Sequence, residues 1–232
     1  RLSDWNADEI ILLNIGSDDI LDSRRNDKYH NLGESKFEGL VREVTKFCHC
    51  PITIGGGIRN ISQVENIFEA GADKIVVNTA LYNSPKTIVS AVGKFGSQSI
   101  TASIDIKTSS IGTEVYKEKG QIRSGLTLNE AIDNARKLGV GEILISSIDH
   151  DGSDYGYDRN ILDSLDKRID FPIIVNSGAT SACHFKYGLE NQYVDAVAAS
   201  NIFYFTEMSY PNIKKEIIEG GFANIRDYEL ND

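Results

Sequence analysis

The chain has 232 residues, 41% hydrophobic and 25% charged, with a formal net charge of -10. That suits one large domain or two small ones of ordinary globular composition, and the acidic balance argues against a nucleic-acid binder, which needs a basic footprint. Three cysteines (Cys48, Cys50 and Cys183) make no disulfide framework and point to a reducing compartment, the cytoplasm, and no apolar run reaches the roughly 18 residues of a membrane span.

Short apolar runs rich in β-formers recur at 10–15, 52–54, 74–79, 100–105, 142–148, 172–177 and 196–200. Near-continuous runs of this kind suit parallel strands buried on both faces. Helical patterns over 36–47, 61–70, 85–94, 126–138 and 160–166 lie between them, and another, 211–218, follows the last strand. The alternation predicts repeated βαβ units. Seven strands are visible where a closed (β/α)8 barrel has eight. Two segments break the rhythm: a polar loop over 16–33, and 107–125, which reads as a β-hairpin carrying Gly112 and Gly120. No linker rich in Pro, Ser or Gly divides the chain, so residues 1–232 read as a single domain.

The two halves can be laid on each other. A shift of 121 pairs Gly57 with Gly178, Asn78 with Ala199 and Thr79 with Ser200, while Glu9 pairs with Glu142 at a shift of 133, the extra 12 lying in the polar loop. In the second half a strand ending at Asp105 precedes Glu142, and its mirror in the first half would fall before Arg1. The expectation is an α/β protein, a (β/α)8 TIM barrel, whose first βα unit is largely missing from this sequence.

Within that frame the stretch ITIGGGIRN, residues 52–60, ends a strand on Gly55, Gly56 and Gly57. Two readings stand: a tight turn with packing glycines, or a nest of backbone N–H groups that a phosphate can approach, backed by the amino end of a helix capped by Asn60. The mirrored stretch, Asn176 to Thr180, offers a second nest beside Ala199 and Ser200. Two nests on one barrel mouth predict a substrate with a phosphate at each end. Glu9, Lys74 and Glu142 open alternate strands, so their side chains can meet in one layer at the barrel bottom. Charges there must pair, and Glu–Lys–Glu can. Cys48-His49-Cys50 has metal-like spacing, but three ligands within three residues cannot all face one ion, so neither a metal nor a cofactor is expected. His150 is a candidate for touching substrate, His30 and His184 read as surface or capping residues, and Tyr155 and Tyr157 either stack on a substrate ring or pack over their loop.

PITIGGGIRN, GADKIVVNT, FGSQSITASIDIK, GEILISSIDHDGSDYGYD and AVAASNIFYF, in that order, resemble the cyclase subunit of imidazole glycerol phosphate synthase, of histidine biosynthesis. The resemblance runs from Ala7 to about Arg226. It implies a barrel of the ribulose-phosphate-binding type with a glutaminase subunit on its amino-terminal face. Ammonia from that partner crosses the barrel and reacts with a bis-phosphorylated ribulosyl aminoimidazole carboxamide nucleotide, giving imidazole glycerol phosphate and aminoimidazole carboxamide ribotide. It implies Asp105 as one of two catalytic acid–base aspartates, the other lying on the missing strand. It implies one phosphate site at Gly57, Asn78 and Thr79, and another at Asp151, Gly152, Gly178, Ala199 and Ser200, with Ser146 and Ser177 nearby. Glu9, Lys74 and Glu142 would form an ammonia gate, or a plain salt-bridge plug, and Asp73 would meet the glutaminase.

Three features depart from the family pattern. Asn14 stands where an aspartate is usual, Asn176-Ser-Gly-Ala-Thr replaces Ser-Gly-Gly-Ala-Gly, and loop 16–33, with Arg24, Arg25 and Lys28, is longer. All three lie at the mouth. They leave open a paralogue that activates a glutaminase and channels ammonia to a sugar amidotransferase of surface-polysaccharide biosynthesis.

Overall fold

The computed structural model describes residues 2, 4–5, 7–14, 36–109, 112–166, 169–222 and 225–226. The loop expected over 16–33, with Arg24, Arg25, Lys28 and His30, lies outside the described residues.

All seven expected strands form. They are β1 (Ile10–Leu13), β2 (Ile52–Gly55), β3 (Lys74–Val77), β4 (Ile100–Ser109), then β7 (Glu142–Ser147), β8 (Ile173–Asn176) and β9 (Ala196–Ala198), with β5 (Gly112–Lys117) and β6 (Ile122–Arg123) between β4 and β7. The order β1-β2-β3-β4-β7-β8-β9 is parallel throughout. The helices are α1 (Lys36–Phe47), α2 (Ile61–Glu69), α3 (Ala80–Asn83), α4 (Pro85–Phe95), α5 (Leu128–Leu138), α6 (Arg159–Ser164), α7 (Ala182–Leu189), α8 (Asn201–Phe205) and α9 (Ser209–Glu219).

Local chemistry sets several helix ends. Asn60 and Gln63 form a capping box at the start of α2, and Thr127 and Glu130 form another at α5. Gly139 closes α5 in the left-handed conformation, and Pro85 opens α4 where a missing N–H costs nothing. The expected hairpin forms, with β5 and β6 antiparallel, and β4 extends it into a three-strand meander. β4 does not stop at Asp105 but runs on to Ser109, pairing antiparallel with β5 from Asp105↔Tyr116 to Ser109↔Gly112. β6 adds to β5 beyond it.

The sheet packs on both faces. Outward-facing Ile52, Ile54, Ile75, Ile100, Ile104, Ile143 and Ile173 are fully buried under the helices. On the inner face Val76, Leu144 and Ile174 form a separate cluster that also takes in Ile11 of β1 and Ala196 and Ala198 of β9. The first and last strands thus share one interior, as curling into a barrel requires, and the architecture is that of the (β/α)8 class. Asp8, just ahead of β1, accepts from the Tyr210 hydroxyl (2.8 Å) and from Lys214 Nζ (2.9 Å) of α9, and Arg226 donates to the Ala7 carbonyl (3.1 Å). These bonds link the two ends of the sheet.

The internal repeat is visible in the hydrogen bonds. The Ile10 N–H donates to the Pro51 carbonyl and the Ile143 N–H to the Pro172 carbonyl, each at 3.0 Å. Asp73 donates its N–H to the Ile52 carbonyl (3.0 Å) and accepts the Ile52 N–H on Oδ2 (2.8 Å). Asp195 does the same to Ile173, at 2.9 Å both ways.

Candidate functional site

Side chains alternate along a strand, so residues two apart line the same face. From the amino-terminal end upward this stacks Glu9, Ile11 and Leu13 on the first strand, Lys74, Val76 and Asn78 on the third, and Glu142, Leu144 and Ser146 on β7. The bottom layer is therefore ionic and the middle apolar, while the top sets Leu13 beside the polar Asn78 and Ser146.

The bottom layer assembles as expected. Lys74 Nζ donates to Glu9 Oε2 and to Glu142 Oε2, both at 2.9 Å. The remaining oxygens are taken too: Thr53 Oγ1 donates to Glu9 Oε1, and Thr101 Oγ1 donates to Glu142 Oε1 at 2.7 Å. Register explains this, because Thr53 lies beside Lys74 and Thr101 beside Glu142. Burial alone would depress the Lys74 ammonium, but hydrogen bonds and charge from the two glutamates outweigh it and hold its pKa above the ordinary value. Sequence reading missed both threonines, since a buried threonine in an apolar run reads only as a β-former. Asp73 is exposed at this same end, with Oδ2 committed to the Ile52 N–H.

At the opposite end Asp105, Ser146 and Asn176 stand side by side on β4, β7 and β8. Asn176 Nδ2 donates to Ser146 Oγ (3.2 Å), Ser103 Oγ to Asp105 Oδ1 (3.2 Å), and Asn78 Nδ2 to the Ser103 carbonyl (3.1 Å). Burial pushes the Asp105 carboxyl up to about 6. The Ser103 hydrogen bond opposes the shift and the Asp151 charge adds to it. Asp151 and Gly152 are exposed on the loop after β7.

The glycine triplet divides between its two readings. A Cβ on Gly55 would sit 2.5 Å from a Val76 methyl, and one on Gly56 (φ +96°) would sit 2.1 Å from the Asn14 carbonyl oxygen. Packing accounts for those two. Gly57 (φ +71°) completes the turn into the Asn60 cap, and Asn78 and Thr79 follow the neighbouring strand. The tip of the β5–β6 turn, unforeseen here, rests on them: the Glu118 N–H donates to Thr79 Oγ1 (3.1 Å) and Asn83 Nδ2 to Glu118 Oε1 (3.2 Å).

On the second side, Ser177 and Gly178 end β8, and Ala199 and Ser200 end the adjacent β9. Ser177 is buried at φ +88°, a conformation that side chains resist. Gly178 (φ +85°) accepts the Gly156 N–H at 2.9 Å, and a Cβ there would lie 2.3 Å from the Gly156 oxygen. Tyr157 packs rather than stacking on a substrate: it is buried edge-on to Phe185, with its hydroxyl on the Ala198 carbonyl (3.1 Å). Tyr155 is exposed, edge-on to His150. His184 caps, accepting the Thr180 N–H on Nδ1 (3.2 Å).

Asp158, missed by sequence reading, is buried beneath this loop. It accepts from Thr108 Oγ1 (2.7 Å) and the Asn160 N–H (2.9 Å). Burial would raise its pKa, but these bonds and the nearby His150 lower it. The only advance signal was its place in the quoted GYD. Cys48 and Cys50 face each other at 3.6 Å, and burial together with Cys48 pushes the Cys50 thiol up to about 12. Among the described residues no group of three His, Cys, Asp or Glu side chains is arranged to hold a metal ion, and no helix is long and apolar enough to cross a membrane.

A parallel barrel-type sheet with a half-buried carboxyl and glycine-bearing turns at the carboxyl ends of its strands defines a class, the (β/α)8 enzymes. Residues 30–209 match the family model described as histidine biosynthesis protein. The chain is 35% identical over 219 residues to the imidazole glycerol phosphate synthase subunit HisF of Clostridium botulinum strain Okra, covering 94% of this chain and 82% of that protein. It is 36% identical over 222 residues to the HisF subunit of Dictyoglomus thermophilum (93% and 81% covered), and 38% over 178 residues to that of Lachnoclostridium phytofermentans (76% and 69%). The chain belongs to the histidine biosynthesis protein family. These relatives all bear the name of an imidazole glycerol phosphate synthase subunit, which does not favour the surface-polysaccharide alternative.

Proposed function

We propose that this chain is the cyclase subunit of an imidazole glycerol phosphate synthase. It takes ammonia from a glutaminase subunit docked on the amino-terminal face, near Asp73. It converts the bis-phosphorylated ribulosyl aminoimidazole carboxamide nucleotide to imidazole glycerol phosphate and aminoimidazole carboxamide ribotide. The observation that carries this reading is Asp105, a half-buried carboxyl at the mouth, beside Ser146 on the neighbouring strand, that desolvation pushes up to about 6. General acid–base catalysis works best near the operating pH, because such a group both gives and takes a proton readily. As base, Asp105 removes a proton from the attacking nitrogen; as acid, it returns one to the departing group.

The rest of the site fits a substrate charged at both ends. Gly57, Asn78 and Thr79 lie on adjacent strand ends, and so do Gly178, Ala199 and Ser200; Asp151 and Gly152 overhang the second group. Ser146 and Ser177 lie within the same rim. In this reading each group receives one phosphate. Below, Glu9, Lys74 and Glu142 form the gate. NH3 is small and neutral, so it passes such a layer without its own counter-ion once Lys74 swings aside.

The test uses the full-length protein with the nucleotide and an ammonium salt at high pH. Turnover is expected in the wild type, falling at least 100-fold in Asp105→Asn, the range for a lost acid–base group. The acid limb of the rate should also bend near pH 6, since protonated Asp105 cannot act as base. Absent turnover with intact stimulation of a glutaminase would overturn the cyclase reading.

A further inference from the structure

We propose that His150 is a positioning residue for a phosphoryl group at the second cradle, its ring fixing the loop that carries Asp151 and Gly152 against the turn at Gly178. The proposal rests on the cyclase reading for the identity of the substrate, but not for the brace itself.

The brace is a chain of contacts centred on one ring. His150 Nδ1 lies 2.7 Å from the Gly156 carbonyl oxygen. A carbonyl can only accept, so Nδ1 carries the proton. The Gly156 N–H in turn donates to the Gly178 carbonyl at 2.9 Å. There is no slack between the two loops, because a Cβ on Gly178 would come within 3.1 Å of the His150 Cβ as well as 2.3 Å of the Gly156 oxygen. The other edge of the ring faces a fixed wall: Nε2 is 4.0 Å from Oδ2 of buried Asp158.

The same residue shapes the loop tip. The His150 carbonyl accepts from the Ser153 N–H (3.1 Å) and Ser153 Oγ (2.8 Å), closing a tight turn with Asp151 and Gly152 at its crest. Asp151, Gly152, Asp154 and Tyr155 are all exposed, so the ring contact at Gly156 closes a loop that is otherwise solvated. Ordering such a span costs backbone entropy, and a loop already ordered brings less of that cost to ligand binding.

A second histidine holds Gly156 from the opposite side. A Cβ on Gly156 would sit 3.0 Å from His184 Cδ2. His184 Nδ1 accepts the Thr180 N–H, so it must be bare where His150 Nδ1 is protonated. The two rings thus use Nδ1 in opposite senses, His150 as donor and His184 as acceptor. Next along the chain, Tyr157 ties the same segment to Ala198, the residue before Ala199 and Ser200. The segment that His150 holds thus reaches both the turn at Gly178, through Gly156, and the end of β9, through Tyr157 and Ala198.

The experiment measures ammonia-dependent steady-state kinetics of the full-length protein, together with binding of inorganic phosphate followed at the Gly178 and Ser200 amides by NMR. His150→Ala should raise KM about tenfold while kcat changes less than threefold, and should weaken phosphate at those amides about tenfold. His150→Asn, whose amide can donate to Gly156, should return both to within threefold of wild type. His150→Phe keeps ring volume without a donor and should behave like His150→Ala. Nitrogen shifts of the wild type should show a protonated Nδ1 on His150 and a bare one on His184. Unchanged KM and phosphate affinity in His150→Ala overturn the proposal, as does a loss confined to kcat, or wild-type behaviour in His150→Phe. If His150→Ala fails to fold, the contrast between His150→Asn and His150→Phe decides. A wild type with no turnover but with this pattern of phosphate binding would sink the cyclase reading and leave the brace standing.

Discussion

The two ends of the barrel lie four residues apart on the same strands and treat charge in opposite ways. At the amino-terminal end the three charges of the inner layer are paired: Lys74 has two carboxylates, and each carboxylate has one lysine and one threonine. At the carboxyl-terminal end Asp105 is half-buried, accepts from the Ser103 hydroxyl at 3.2 Å and lies within the field of a second carboxylate. The backbone follows suit, with Gly56, Gly57, Gly152, Gly156, Ser177 and Gly178 all at positive φ around the mouth. Balanced charge makes a shaped, stable layer. Unbalanced charge and a strained rim cost stability, and such features collect where chemistry or binding is done.

The largest test of that contrast is steric. Gly178→Ala should cost more than about 3 kcal/mol in denaturant unfolding, because its Cβ would meet a backbone oxygen rather than a movable side chain. A loss below about 1 kcal/mol would mean the rim relaxes freely. Next comes Asp105→Asn. The folded carboxyl titrates at about 6 against an ordinary 3.8, so folding is penalised increasingly as pH rises from about 4 to 6 and fully above that. The neutral variant should therefore be more stable at pH 8 by up to about 3 kcal/mol, and the gain should vanish below about pH 4. A gain independent of pH would show that charge burial is not its source.

The opposite sign is expected at the lower end. Lys74→Ala leaves two carboxylates facing each other. The three side chains keep 16–24% exposure, so screening trims the loss to about 2 kcal/mol. With the glutaminase present, the variant should change glutamine-dependent turnover more than ammonia-dependent turnover; equal losses would count against a gate. The smallest effect is Ser177→Gly, which relieves a buried residue at φ +88° and should raise stability by about 1 kcal/mol. A melting temperature that fails to rise would place no strain there.

How much of this was legible follows from the same physics. Strands showed because β-branched runs between polar turns carry a strong signal, and the ionic layer showed because three charged residues open otherwise apolar strands. Thr53 and Thr101 stayed hidden among β-formers. α3 and α8, of four and five residues, are too short to display a helical period, and α7 carries Gly188 near its end and only a weak apolar stripe. The hairpin over 107–125 showed in its glycines and alternating residues, but its continuity with β4 did not, because nothing in the sequence says that the strand ending near Asp105 and the hairpin arm from Lys107 are one strand. At the mouth, glycine spacing announced a tight rim. The roles of Gly55 and Gly56 depend on what lies across from them, and the His150 contact spans six residues of irregular chain with no periodicity to reveal it.

Asp73 and Asp195 bear on how such a barrel can be recombined. Each pins the first amide of the strand before it, at Ile52 and at Ile173, through its own carboxylate. The alignment of β2 with β3 and of β8 with β9 is thereby written into each strand pair and travels with it. A fragment exchanged between the two halves would bring its own alignment along, and only the complementarity of its inner ionic residue with its new neighbours would remain to be matched.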